Sequence, residues 1–333
     1  MTAPLDVSGD ELKATPESVA EGAGAKAIQG RSLGQIAWMR LKRDKVALTG
    51  AGVIVFLILV AVFAPLIVSW FGHPPNQFNQ DQIDTLTMIP KGGSGISWDY
   101  LFGVEPVNGR DLFSRVVYGA RISLLIAGLA TLLSVLIGTV MGIIAGYFGG
   151  WVDMIISRLM DIFLAFPVLV FAMALVGVLG QFETQLQVKG DTLRILLLIF
   201  VIGFFNWGYI ARIIRGQTLS LREREFVDAA RSLGARGPYI LFREILPNLI
   251  APILIYATLL IPTNVLFEAA LSFLGVGIQP PTATWGGMLA AATKYYTVPH
   301  FMFFPGMAIF ITVLAFNLFG DGLRDALDPK SGR

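Results

Sequence analysis

An all-α integral membrane protein with six transmembrane helices is the fold the sequence predicts, on three observations. Charged residues make up 14% of the 333 positions and apolar residues 55%, where an ordinary soluble domain carries about 25% charged residues. The shortage leaves six long apolar runs, roughly 46–70, 119–147, 152–180, 192–215, 246–275 and 302–320, and a helix needs about 20 such residues to cross the hydrocarbon core. The basic residues gather in two short segments, and four of those runs lie between them.

Residues 1–30 hold Asp6, Asp10, Glu11, Glu17 and Glu21 against Lys13 and Lys26, with no apolar stretch. They read as a disordered acidic tail and not as a signal peptide. The segment 31–70 opens with Arg31, Arg40, Lys42, Arg43 and Lys45 and runs into the first apolar stretch, which is too long for a cleavable core and so is a retained anchor. The second basic segment carries Arg215, Arg222, Arg224, Arg231, Arg236 and Arg243 between the fourth and fifth runs. Lys and Arg collect in cytoplasmic loops, so both segments and both termini, with the tail 321–333, are expected on the cytoplasmic side of the cell's plasma or inner membrane. The segment 71–118 then falls outside. Loops of that length are uncommon without a role, and its Pro, Gly, Asn and Gln content predicts a partly structured extracytoplasmic cap. A second outer segment, Gly275–His300, carries Trp285, Tyr295 and Tyr296, aromatics that favour headgroup level. Residues 119–320 form the core, with its cytoplasmic loop at 216–245.

Inside the spans, polar groups need reasons. Arg158 and Asp161 are three apart and can pair on one helical face. Pro252 and Pro262 are expected to bend the fifth span. Glu268 lies deep in the same span, where a charge costs about 2.5–3.5 kcal/mol on insertion scales. It must be paired, neutral, near the interface or facing water, which leaves a translocation path and a structural or partner contact both open. Asn206, Asn264 and Asn317 are weaker candidates, because amides often only bridge neighbouring helices.

The loop 216–245 is the most informative stretch. Ser220 followed by Glu223 fits a capping box. Phe226, Ala229, Ala230 and Leu233 then fall at three- and four-residue spacing on one face, with Arg222, Arg224, Glu225, Asp228 and Arg231 on the others. Gly234 supplies a left-handed stop, and Gly237 with Pro238 enforces a turn. The expected product is a helix of about 13 residues, roughly 20 Å long, too short to span and too charged to lie in lipid. A docking knob and a solvated connecting helix both fit that pattern.

No Gly-x4-Gly-Lys-Ser/Thr phosphate loop occurs, so any ATP hydrolysis is assigned to another chain and no enzyme activity or cofactor to this one. There is no cysteine, and His73 and His300 belong to no metal-binding pair; both are expected in solvated loops. An ion-coupled secondary transporter would show inverted repeats with paired acidic or broken-helix sites, and Glu268 alone is thin support. An intramembrane enzyme lacks any catalytic pair within the spans.

Asp228-Ala229-Ala230, three residues, Gly234 and then Leu246-Pro247 resemble the cytoplasmic signature of the ABC-importer permeases, with Asp for Glu at 228 and Glu244 where the pattern has Ile. Further segments resemble the dipeptide/oligopeptide C-type permeases: Gly34–Pro65, Gly109–Arg115, Tyr118–Leu124, Gly146–Trp151, Leu271–Gly275, Gly277–Pro281 and Gly320–Pro329. A departure is Gly103-Val104-Glu105, where the family usually reads Gly-Thr-Asp. The resemblance covers about residues 34–329 and implies a type I ABC importer permease core with a cytoplasmic coupling helix. It further implies a second permease subunit beside this one, two ATPase subunits holding ATP and magnesium, and an extracytoplasmic binding protein. Carried over, Asp228, Ala229, Ala230 and Gly234 form the coupling motif, with Arg222, Glu223, Arg224, Glu225 and Phe226 against the ATPase. The implied substrate is a dipeptide or oligopeptide, with nickel, glutathione or an oligosaccharide as alternatives. No nucleic acid is implied.

Overall fold

The structure, a computed structural model, describes residues 33–175, 178 and 190–328. The acidic tail 1–30 and the end of the third apolar run lie outside the described residues. What is described is helical, with no strand and only two isolated bridges, Ile83–Pro90 and Val104–Asp111.

A basic helix α1 (Leu33–Arg43) leads into α2 (Lys45–Val62). Asp44 sets that start, its carboxylate accepting from the backbone amides of Val46 and Ala47 at 2.9 and 3.1 Å. The chain breaks at Phe63, two residues before Pro65, and continues as α3 (Ala64–Phe71). Proline fits the first turn of a helix, where no donor is needed. An irregular lobe, 72–111, follows. Helix α4 (Leu112–Phe148) is capped by Asp111 and ends at Gly149, whose φ of +65° belongs to the left-handed region. At 37 residues it is about 55 Å long and separates two ends of the bundle. One end carries the lobe; the other carries the loop after the fourth span, called the knob end below.

The third predicted span is two helices, α5 (Gly150–Ala165) and α6 (Val168–Leu175), meeting at 76°. Pro167 sits in the break, where its missing N–H and ring prevent a continuous ladder. Helix α7 (Gly190–Arg222) returns to the knob end, α8 (Glu225–Ser232) forms the knob, and α9 (Leu246–Phe273) crosses back. A wide π-turn, Ile240–Ile245, precedes α9; Pro247 has no N–H for the carbonyl four residues back, and the wider turn makes room for its ring. The expected bend at Pro252 and Pro262 does not interrupt α9, which runs through both. A short α10 (Trp285–Ala292) packs at the lobe end, and α11 (Pro299–Leu327) closes the chain. Among the described residues five helices are long and apolar enough to cross a membrane, and the bent α5–α6 pair passes the same test of length and composition when taken as one span, for up to six.

Arg40 donates to the carbonyl of Asp328 at 2.7 Å, while His300 at the other end of α11 meets the Val104 carbonyl in the lobe at 3.2 Å. The basic segment before α2 therefore lies at the knob end, beside the second basic segment. Two expectations change at the lobe end. Trp285 is 1% exposed, its indole donating to Val116, so it is a core residue and not an interfacial one. His300 is likewise buried at the start of α11.

The tightest packing joins α4 to α7, which run parallel. On α4, Gly138, Gly142 and Gly146 face Ile210, Ile214 and Thr218 of α7 in turn. A Cβ at Gly142 would lie 2.7 Å from the Ala211 carbonyl oxygen and 2.9 Å from the Ile214 Cβ. Small residues at this spacing let backbones approach where lipid supplies no hydrophobic drive. Gly142→Leu is expected to force α4 and α7 apart, costing about 1–3 kcal/mol or more, and to lower the fraction surviving detergent extraction as temperature rises. A leucine tolerated there without loss would show that the contact is loose.

Candidate functional site

The knob starts later than its sequence suggests. Helix α7 continues through Ser220 to Arg222, so the Ser220–Glu223 capping box does not form, and α8 begins at Glu225 with Arg224 as its cap residue. Thr218 is buried against α4 and Leu221 packs on the knob's core; this tertiary contact holds the chain helical past the local stop signal. The result is a helix of 8 residues.

Its C-terminus matches expectation. Gly234 has φ +83°, its amide donates to Arg231 at 2.9 Å, and the Ala235 amide reaches back to Ala230 at 3.0 Å. This pair of bonds is a Schellman motif, which satisfies the last carbonyls and needs a left-handed residue.

One side of α8 is anchored. Val227 is fully buried among Ile214, Ile240, Ile245 and Leu249, with Ala230 and Tyr147 packed alongside. The rest of the predicted apolar face points the other way, with Ala230 half-buried at its edge. Phe226 is 38% exposed, Leu233 is 89% exposed, and Ala229 lies open between them. With Ala230, Gly234 and Tyr239 they line an open groove of about 640 Å³, edged by Arg236 and Glu244. Around it stand the exposed charges of Arg224, Glu225, Asp228 and Arg231, the last two paired at 3.2 Å. An apolar groove rimmed by charge is the form that interaction surfaces and ligand grooves take.

Two predicted contact residues behave differently. Arg222 turns inward, its guanidinium donating to the Gly146 and Tyr147 carbonyls at 3.3 and 3.2 Å, where a cation at the end of α4 is favoured by the helix dipole. Glu223 is exposed and pairs with Arg222 at 3.0 Å. Behind the knob, Arg215 grips Asp153 through both of its forks, and Arg212 binds Asp161 at 2.7 Å. The expected Arg158–Asp161 pair is present but long, at 3.9 Å. These pairs brace α5 against α7. Sequence reasoning missed the Arg215–Asp153 link because its residues lie on different spans, with no local spacing to signal it.

The intramembrane candidates lie elsewhere. Asn206 donates to the Asn264 side-chain oxygen at 2.9 Å, and Asn264 donates to Thr131 at 2.8 Å, tying α7, α9 and α4 together. Glu268 is fully buried within this chain and accepts from Ser272 at 2.8 Å, its second oxygen meeting no hydrogen-bond partner among the described residues. In this conformation Glu268 and Asn264 therefore touch neither an open path nor a surface a partner could reach.

Residues 138–333 match the family described as binding-protein-dependent transport system inner membrane component, and residues 32–87 match the N-terminal TM domain of oligopeptide transport permease C. A dipeptide transport system permease protein DppC from Alkalihalophilus pseudofirmus is 41% identical over 295 residues, covering 88% of this chain and 89% of the relative. A glutathione transport system permease protein GsiD from Escherichia coli O6:K15:H31 is 42% identical over 294 residues, with the same coverage of 88% and 89%. Among solved structures, an inward-facing MetNI methionine ABC transporter matches with a TM-score of 0.53 at 18% identity, covering 65% of this chain and 98% of that one; it shares the fold. With a bundle of five long helices and a bent sixth span, an apolar knob and these matches, the chain belongs to the inner-membrane components of binding-protein-dependent transport systems, the ABC importer permeases, and carries the N-terminal domain of oligopeptide permease C.

Proposed function

We propose that this chain is one of two permease subunits of an ATP-driven importer of dipeptides or oligopeptides. The observation that carries the reading is the open apolar face of α8, Phe226, Ala229 and Leu233, on an otherwise charged loop. The knob end is cytoplasmic, with both termini, and the lobe is extracytoplasmic. Two ATPase subunits hold ATP and magnesium and take the knob into a cleft; a binding protein delivers substrate at the lobe end. Closure of the ATPases draws the knobs of the two permeases together. The pore shifts because the ATPases contact the knob differently in the two states, and only differential contact can move such an equilibrium. The Arg215–Asp153 and Arg212–Asp161 pairs carry the movement from α7 to the bent span. Asn206 and Asn264 serve as internal ties between helices, and Glu268 is bonded within its own helix.

Short peptides are the substrate class because similar permeases bear the names of dipeptide and glutathione transport, and glutathione is itself a tripeptide. The test is uptake by the complete complex in proteoliposomes with its own binding protein, offered dipeptides, longer peptides, glutathione, nickel and an oligosaccharide. ATP-dependent accumulation of peptides alone is expected. Accumulation of nickel or sugar alone would overturn the substrate, and uptake without ATP would overturn the coupling.

A further inference from the structure

The outward face of α4 carries a cation that no part of the mechanism uses. Arg121 is exposed and, among the described residues, makes no ion pair or hydrogen bond. It stands at the head of an open groove of about 480 Å³ between α2 and α4, lined by Ile58, Ala61, Val62, Leu124, Leu125 and Gly128. Apart from Arg121 itself, every residue lining that groove is apolar.

The depth of this groove follows from the α4–α7 register. The contacts of Gly138 with Ile210, Gly142 with Ile214 and Gly146 with Thr218 keep a constant offset between two parallel helices. That offset sets Arg121 level with Arg194, and below Arg194 helix α7 is uncharged as far as Arg212. Seventeen uncharged residues span roughly 26 Å at 1.5 Å each, close to the hydrocarbon thickness of about 30 Å. Arg121 thus lies at the lobe-end boundary of the apolar layer, where lipid phosphates lie. Below it the same face of α4 presents Leu125, Leu129, Leu132, Leu136 and Val140, all exposed. A water-filled path would not be walled by leucine alone; acyl chains are.

We propose that the groove beneath Arg121 binds an anionic phospholipid of the lobe-end leaflet, its phosphate on the guanidinium and an acyl chain laid across Gly128. Charge complementarity selects this occupant. Arginine's planar fork matches phosphate oxygens. Gly128 leaves the floor open, since a Cβ there would meet nothing within 4 Å. The proposal rests only on the chain spanning a bilayer and is independent of the peptide reading.

The experiment uses the assembled complex in nanodiscs containing photoactivatable phosphatidylglycerol or, separately, phosphatidylcholine with the same acyl chains. Labelling of α2 and α4 is mapped by mass spectrometry. Phosphatidylglycerol is expected to label the groove in the native protein, and Arg121→Gln to cut that labelling about tenfold, as loss of one charge-assisted contact implies. Gly128→Leu, whose Cβ meets nothing within 4 Å, is expected to block it by filling the floor. Equal labelling by both lipids would overturn the proposal, as would labelling unchanged by Arg121→Gln. Cross-linking of Leu125→Cys to the second permease, in place of lipid, would overturn it by assigning the groove to that subunit.

Discussion

Leu233→Asp is expected to leave the permease folded and inserted while cutting retention of its ATPase partner at least about 30-fold, with ATP-dependent uptake falling in step. The side chain is 89% exposed, so its removal breaks no internal packing, and surface changes of that kind usually alter stability by no more than about 0.5 kcal/mol. At the centre of an interface the same position behaves differently. A buried hot-spot side chain is worth about 2 kcal/mol or more, and a carboxylate left desolvated in its place adds to the loss. Roughly 2 kcal/mol is a factor of about 30 in affinity. Phe226→Asp should act in the same way, because it lines the same groove. Val227→Asp is the contrasting variant. Val227 is fully buried under the knob, so a carboxylate there should unseat α8 and lower extraction yield as well as coupling. Co-purification, thermal unfolding and uptake separate the outcomes. If Leu233→Asp retains the ATPase normally, the exposed face is not the docking surface.

The order of the spans could be read from the sequence because each is a long, predominantly apolar run, a signal that survives without contacts. Helix limits could not. Helix α4 begins at Leu112, well before its apolar run, since buried Ser114 and Arg115 look like loop residues until their partners are known. The break in the third span was written in Phe166 and Pro167, but the uninterrupted hydropathy around them masked it. Glycines at 138, 142 and 146 also stand in the sequence at a spacing of four, and that signal was available for the α4–α7 contact. In the knob, Gly234 and the face of Phe226, Ala229 and Leu233 were legible from spacing. Their direction was not: amphipathicity says that a face is apolar, and only the burial of Val227 says which face is inside. The Ser220–Glu223 box failed for a similar reason, tertiary packing of Thr218 and Leu221 outweighing a local cap.

The lobe supplies the largest expected effect on folding. Glu105 is 2% exposed and faces two arginines, Arg110 at 2.7 Å and Arg115 at 2.5 Å. Arg115 also donates to the Pro75 and Pro281 carbonyls and the Asn76 side chain, at 3.3, 3.0 and 3.1 Å. One carboxylate thus fixes the guanidinium that joins the lobe, the first turn of α4 and the chain ahead of α10. Glu105→Gln keeps the shape and removes the charge, leaving two cations buried without a counter-ion. Breaking such a pair from one side costs about 3–5 kcal/mol, a large share of the 5–15 kcal/mol typical of folded proteins. The variant is expected to accumulate poorly, melt early and expose the lobe to protease near Leu86 and Trp98, both already at the surface. Arg110→Met should be milder, since Glu105 and Arg115 remain paired and Arg110 lies nearer the rim, its side chain 11% exposed. The order of the two variants is the diagnostic. Equal, small effects on melting and proteolysis would mean that the network is solvated and that the lobe is held by its apolar contacts, chiefly Phe102 stacked on Phe304 at 4.0 Å. A large loss confined to Glu105→Gln would place the lobe's attachment in that single carboxylate.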